Sequence, residues 1–140
     1  MKIKLFEDYN QDDENMGFKE SIDDCVSSSQ RCVDEFEEES DHMDMIDSCL
    51  ECIILAQAVK ELIDSDSKLL KSLCQVFKLS ISSCIEQCKK FDSDASVSCI
   101  EACKRCEIDC DVVISEWLYG YIINIVNSKE INNFTFHIII

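Results

Sequence analysis

The chain has 140 residues, 46% of them hydrophobic, and its 29 acidic against 13 basic side chains leave a formal net charge of −16. One domain is the default at this length, the apolar content is enough for a core, and so acidic a chain speaks against a nucleic-acid partner, which is held through clustered Lys and Arg; a cationic ligand fits better. Met1–Glu14 has only Lys2 and Lys4 before it turns acidic at Glu7, Asp8, Asp12 and Asp13, which is not a secretory leader, and no apolar stretch reaches the roughly 18 residues of a membrane span, so a cytoplasmic location is expected.

Along the chain we distinguish an acidic N-terminal segment (1–17), a Cys-rich helical region (18–113) and a hydrophobic C-terminal extension (114–140). In the first predicted helix Phe18, Ile22, Cys25, Ser29, Cys32 and Phe36 recur at alternating gaps of four and three, the seam of a heptad pattern. The acidic run Asp34–Asp41 reads as a solvated face whose field attracts cations weakly. The second helix repeats the seam with His42, Met45, Cys49, Cys52, Ala56, Val59 and Ile63, and Asp41 stands before it as the expected N-cap. After Asp64–Ser67 the third carries Leu70, Cys74, Phe77, Ile81, Cys84, Cys88 and Phe91; after Asp92–Ser96 the fourth carries Cys99, Cys103, Cys106, Cys110 and Val113. Links this short place successive helices antiparallel. The expected fold is therefore all-α, an antiparallel up-down-up-down four-helix bundle with a Cys-lined interior and a C-terminal tail outside it.

In that tail, Trp117–Val126 either extends the fourth helix or starts a separate packing element. Ile131–Ile140 is rich in β-branched and aromatic residues and reads as a strand. Such a strand pairs with another chain to support a homo-oligomer, folds over the apolar end of the bundle, or is prone to aggregate. His137, within it, is read as structural or incidental.

Eleven cysteines, an odd number in a reducing compartment, do not read as a disulfide framework. Within one row the geometry agrees, because side chains four apart on a helix lie about 5–6 Å apart at Cβ, beyond the roughly 3.5–4.5 Å of a disulfide. An isolated Cys on a seam is ordinarily core packing, since a buried thiol behaves as a small hydrophobe. Four on one helix face, as in Cys99–Cys110, read as a soft-metal site. In an antiparallel bundle, at roughly 1.5 Å per residue, Cys25, Cys32, Cys49, Cys52, Cys84, Cys88, Cys99, Cys103 and Cys106 fall within about 18 Å of one end, with Cys74 and Cys110 deeper. Ala56, Val59, Ile63, Leu70 and Phe77 form an apolar plug toward the opposite end, and His42, Met43 and Met45 stand at an open mouth.

The ligand at a Cys is the thiolate, and burying uncompensated negative charge is very costly. Cu(I) replaces one thiol proton per ion and leaves a filled core near neutrality, whereas zinc on four thiolates keeps two negative charges. Soft thiolate and thioether donors suit Cu(I), zinc and iron–sulfur clusters. Zinc usually takes two C-x2-C pairs on turns, and ferredoxin-type clusters use loop cysteines at other spacings. Here C-x2-C and C-x3-C mix along helices, so several Cu(I) ions are the better match, with zinc the alternative.

These residues resemble the four-helix-bundle copper storage proteins of the cytosolic branch, whose helices carry CxxC and CxxxC rows facing the bundle interior. Ser98–Cys110 (SCIEACKRCEIDC) looks like their fourth-helix motif, SCLECIILAQ like the second and LCQVFKLSISSCIEQC like the third, so the likeness covers about 18–113. The resemblance implies many Cu(I) ions bound inside a bundle already folded without metal. It makes all eleven cysteines candidate ligands and His42, Met43 and Met45 candidate uptake ligands, although a polar helix start with methionines filling core gaps explains those three as well. Ser28 or Ser29, Ala56, Phe77, Ile81 and Ser96 stand where richer members of the family show further Cys, which implies a lower copper capacity.

Catalysis finds no foothold. His42 and His137 are the only histidines and lie in no Cys-His or Ser-His motif, and Gly17 and Gly120, the only glycines, make no phosphate loop. The expected function is cytosolic Cu(I) sequestration with release to thiol-bearing acceptors. The alternatives are a zinc or general soft-metal buffer and a metal-free interaction or redox-responsive bundle.

Overall fold

Four helices make up the fold in the computed structural model, which describes residues 4–127: α1 (Lys4–Phe36), α2 (Met43–Asp64), α3 (Leu70–Cys88) and α4 (Asp94–Asn127), with a short 3-10 turn at Ser40–His42 ahead of α2. Each helix packs on its two neighbours in the ring α1–α2–α3–α4–α1, the up-down-up-down arrangement that short links impose. There is no strand among the described residues; the strand expected at Ile131–Ile140, with His137, lies outside them.

The seam residues face inward. Phe18, Ile22, Cys25, Ser29, Cys32 and Phe36 of α1, Met45, Cys49, Cys52, Ala56 and Val59 of α2, Cys74, Phe77, Ile81, Cys84 and Cys88 of α3, and the four cysteines of α4 are all buried, with Ile63, Leu70, Phe91 and Val113 packed partly buried at the margins. Cross-helix pairs fix the antiparallel register: Lys19–Asp64 and Lys60–Asp23 join α1 to α2, Ser48 and Ser83 hydroxyls 3.0 Å apart join α2 to α3, Lys78–Asp111 joins α3 to α4, and Arg105–Asp24 joins α4 to α1. These ion pairs lie on the surface, where each is worth about 0–1 kcal/mol; they orient helices whose stability comes from the buried seams.

α1 and α4 outrun the other two, with 33 and 34 residues against 22 and 19. Of the two readings of Trp117–Val126, the continuous one holds, since α4 runs on to Asn127. Gly120 costs it only about 1 kcal/mol relative to Ala. Ser93 caps α4 by accepting the Ser96 N–H at 3.0 Å.

Asp41 does not cap α2. It lies inside the 3-10 turn, and His42 takes the N-cap position with no side-chain cap bond. Packing wins there, because the extra turn lays the His42 ring against both Phe36, at 4.8 Å between centroids, and Phe91, at 4.4 Å.

The α2–α3 link turns on one residue. Asp66 has φ 50°, and bonds from Asp66 N–H to Ile63 O and from Ser67 N–H to Leu62 O close a Schellman motif. Asp tolerates this left-handed position and a β-branched residue does not. Asp66→Val is therefore expected to cost about 1–2 kcal/mol in chemical denaturation, with helicity retained; an unchanged midpoint would refute the strain at this turn.

Candidate metal centre

Every one of the eleven cysteines is free and fully buried, and all four helices contribute. The seam period brings this about. Three- and four-residue gaps keep Cys on the inward stripe, and the antiparallel register sets the stripes of neighbouring helices level with one another.

The sulfurs form overlapping groups. Cys32, Cys49, Cys88 and Cys99, one from each helix, have Sγ atoms all within 4.8 Å of one another; so do Cys84, Cys99 and Cys103, and so do Cys25, Cys52 and Cys103. Cys99 belongs to the first two groups and Cys103 to the last two. Direct contacts thread them together: Cys49–Cys84 and Cys84–Cys99 at 3.7 Å, Cys25–Cys103 at 3.8 Å and Cys25–Cys52 at 3.6 Å. Sulfurs this close are within reach of a shared metal ion bound at roughly 2.3 Å from each.

The two cysteines expected to lie deeper are neighbours, close enough for Cys74 to raise the Cys110 thiol, and both are buried, as is Phe77 one turn along α3 from Cys74. Cys106 turns outward from the column, and its Sγ donates to the Ser21 carbonyl of α1 at 3.1 Å.

Without metal, these thiols share protons unevenly. Cys103 is held far above the ordinary thiol range, first by its hydrogen bond with Cys25 and further by burial. Cys49 is raised first by Cys32, Cys106 by Cys25 and Cys110 by Cys74, each with a contribution from burial. Cys25 and Cys99 move the other way, because S–H groups, Cys103 first in both cases, donate to their sulfurs. The hydrogen bonds among the sulfurs thus favour the protonated thiol at Cys49, Cys103, Cys106 and Cys110 and ease proton loss at Cys25 and Cys99.

The end expected to be an open mouth is covered. Phe36 closes α1, Phe91 follows α3 and His42 precedes α2; their rings stack in one cluster, with Phe36 and Phe91 5.4 Å apart. His42 Nδ1 is buried 3.2 Å from Glu39 Oε2 but is not aligned for a hydrogen bond. Met45, one turn before Cys49, is buried, whereas Met43 is 53% exposed. Sequence reasoning placed the three residues at this end but missed the aromatic cover. Its only signal was that Phe36 and Phe91 end their seams.

Of the positions where richer members of the family were expected to show Cys, Ser29 is buried with its Oγ 3.5 Å from Cys99 Sγ, so a hydroxyl borders the sulfur column there. Ala56, Phe77, Ile81 and Ser96 are likewise buried. Phe77, the largest fully buried side chain, occupies core volume that smaller residues would leave open.

A family model described as copper storage protein matches residues 11–115. Among solved structures, the chain is similar to the Cu(I)-bound copper storage protein BsCsp3, with a TM-score of 0.66 and 24% identity over 71% of this chain and 96% of that one. No curated protein matches.

Proposed function

The chain belongs to the copper storage protein family, and on that basis we propose that it stores several cuprous ions on thiolates lining the interior of a bundle already folded without metal. The observation that carries this reading is the overlap of the sulfur groups through Cys99 and Cys103. Isolated core cysteines would have no reason to form a connected column drawn from all four helices. Each incoming Cu(I) displaces a thiol proton to the solvent, so a filled core stays near neutral and avoids the cost of buried charge. The likeness in fold to a Cu(I)-bound protein supports the choice of metal.

All eleven cysteines are the ligands in this proposal, within a copper-holding unit at 18–113. His42, Met43 and Met45 serve uptake: the exposed Met43 thioether meets copper first, and the buried Met45 hands it on toward Cys49. The role is binding, not catalysis. It is placed in the cytoplasm, with thiol-bearing acceptors taking copper out. No helix among the described residues is long and apolar enough to cross a membrane.

A second reading has one observation in its favour. Cys32, Cys49, Cys88 and Cys99 make a four-thiol group of the kind zinc takes, although four thiolates around Zn²⁺ leave two negative charges in an already acidic protein.

Anaerobic titration of the fully reduced protein with Cu(I) against a high-affinity chromogenic chelator tests the proposal, with helicity followed in parallel. Several ions held against the chelator at constant helicity are expected, and zinc added in excess should not displace them. Failure to compete with the chelator would overturn the copper reading.

A further inference from the structure

Copper stored on fully buried sulfurs needs a way out. The aromatic cluster of Phe36, His42 and Phe91 narrows the end assigned to uptake, and Phe18, Ile22, Val59 and Phe77 are buried toward the other. Between α1 and α4, however, lies a cavity of about 380 Å³, lined by Gly17, Phe18 and Ser21 on one helix and by Asp109, Val113 and Glu116 on the other. Its Ser21 wall is the residue whose carbonyl receives the Cys106 S–H at 3.1 Å. The Cys106 sulfur therefore lies against a residue of the cavity wall, and it neighbours Cys25, which contacts Cys52 and Cys103.

We propose that this α1–α4 cavity is a side port at which a small aminothiol takes copper from Cys106. The size suits a small molecule. The Phe18 and Val113 faces receive a short carbon chain, and the Asp109 carboxylate, half-buried beside Ser21, attracts an ammonium group. The exchange balances without an oxidant or reductant. The sulfur of the incoming thiol bonds to Cu(I), the Cys106–copper bond breaks, the proton of the incoming thiol passes to Cys106 Sγ, and copper leaves as the cuprous thiolate. Cys106 then recovers its hydrogen bond to Ser21. The proposal rests on the copper reading, but access to Cys106 does not.

Gly17 provides a plug. A Cβ built there meets nothing within 4 Å, and leucine is a better helix former than glycine, so Gly17→Leu should fill the cavity without unfolding the bundle. In the reduced metal-free protein, aminoethyl methanethiosulfonate is expected to modify Cys106, mapped by peptide mass spectrometry, at a rate that Gly17→Leu slows severalfold at unchanged helicity. In the Cu(I)-loaded protein, 2-aminoethanethiol should extract copper about tenfold faster than 3-mercaptopropionate, as a cleft of one charge sign favours a cationic reagent. Gly17→Leu should slow extraction and leave capacity intact. Rates of Cys106 modification and of copper extraction indifferent to Gly17→Leu would overturn the port. Labelling at Cys106 with no copper bound would instead refute the copper reading and leave the access route standing.

Discussion

Replacing Cys99 and Cys103 together by serine is expected to abolish most of the Cu(I) capacity, an effect out of proportion to two ligands among eleven. Cys99 belongs to two of the three sulfur groups and Cys103 to two, so the double change removes a donor from each group and two donors from Cys84, Cys99 and Cys103. A serine hydroxyl is a hard donor and a poor substitute for thiolate toward Cu(I). Cys74→Ser is the contrast, because Cys74 belongs to none of the three groups; it should cost about one cuprous equivalent at most. Competition against a chelator reads both stoichiometries. A buried hydroxyl carries its own stability cost of about 1–3 kcal/mol if unsatisfied, so Cys99→Ala/Cys103→Ala should accompany the serine pair, and both should keep the helicity of the parent. Equal losses for Cys74→Ser and for either shared cysteine would mean that the groups do not act as a connected network.

What the sequence reveals about this site follows from which physical signals are local. A side chain's face is set by its own helix, so the alternation of three- and four-residue gaps places Phe18 through Phe36, and the corresponding residues of the other helices, on the buried stripe. Link length is also local, and it carries the antiparallel order and with it the level at which sulfurs from different helices meet. The cover at the His42 end was not legible. It depends on Phe36, His42 and Phe91 from three separate segments meeting ring to ring, and no periodicity reports a contact across links. The same contact displaced the expected cap at Asp41, because stacking His42 required one more turn of chain than a simple N-cap would have used. The outward turn of Cys106 escapes for a related reason: its partner is a backbone carbonyl on α1, and a carbonyl has no sequence signature. Met43 and Met45 differ by two positions and therefore by about half a turn of helix, which is why one faces solvent and the other the core.

The metal-free protein should lose stability as the pH rises above about 9, and copper should remove the thiols' share of that loss. Cys49, Cys103, Cys106 and Cys110 hold their protons in the folded state well past the ordinary thiol value of 9.0, while the unfolded chain gives its protons up near that value. Above it the folded state binds more protons than the unfolded one, so each further unit of pH favours unfolding by roughly 1.4 kcal/mol per raised thiol. Cys25 and Cys99 are lowered, so their contribution is already complete above the same pH and adds no slope there; it declines as the pH falls from that value toward their folded ones. Chemical denaturation of the reduced protein under anaerobic conditions at successive pH values measures the difference. Lysine titration and the growing negative charge of an already acidic chain also weaken the fold at high pH, so the discriminating comparison is Cys103→Ala/Cys106→Ala, which should show a shallower decline than the parent. In the loaded protein the thiol protons have left with copper uptake, and the remaining decline should match that of a protein without raised thiols. Identical slopes for parent, alanine variant and copper-loaded protein would show that the buried thiols do not hold their protons against solvent. Uptake would then proceed without proton release, and the charge compensation that favours Cu(I) in this core would be lost.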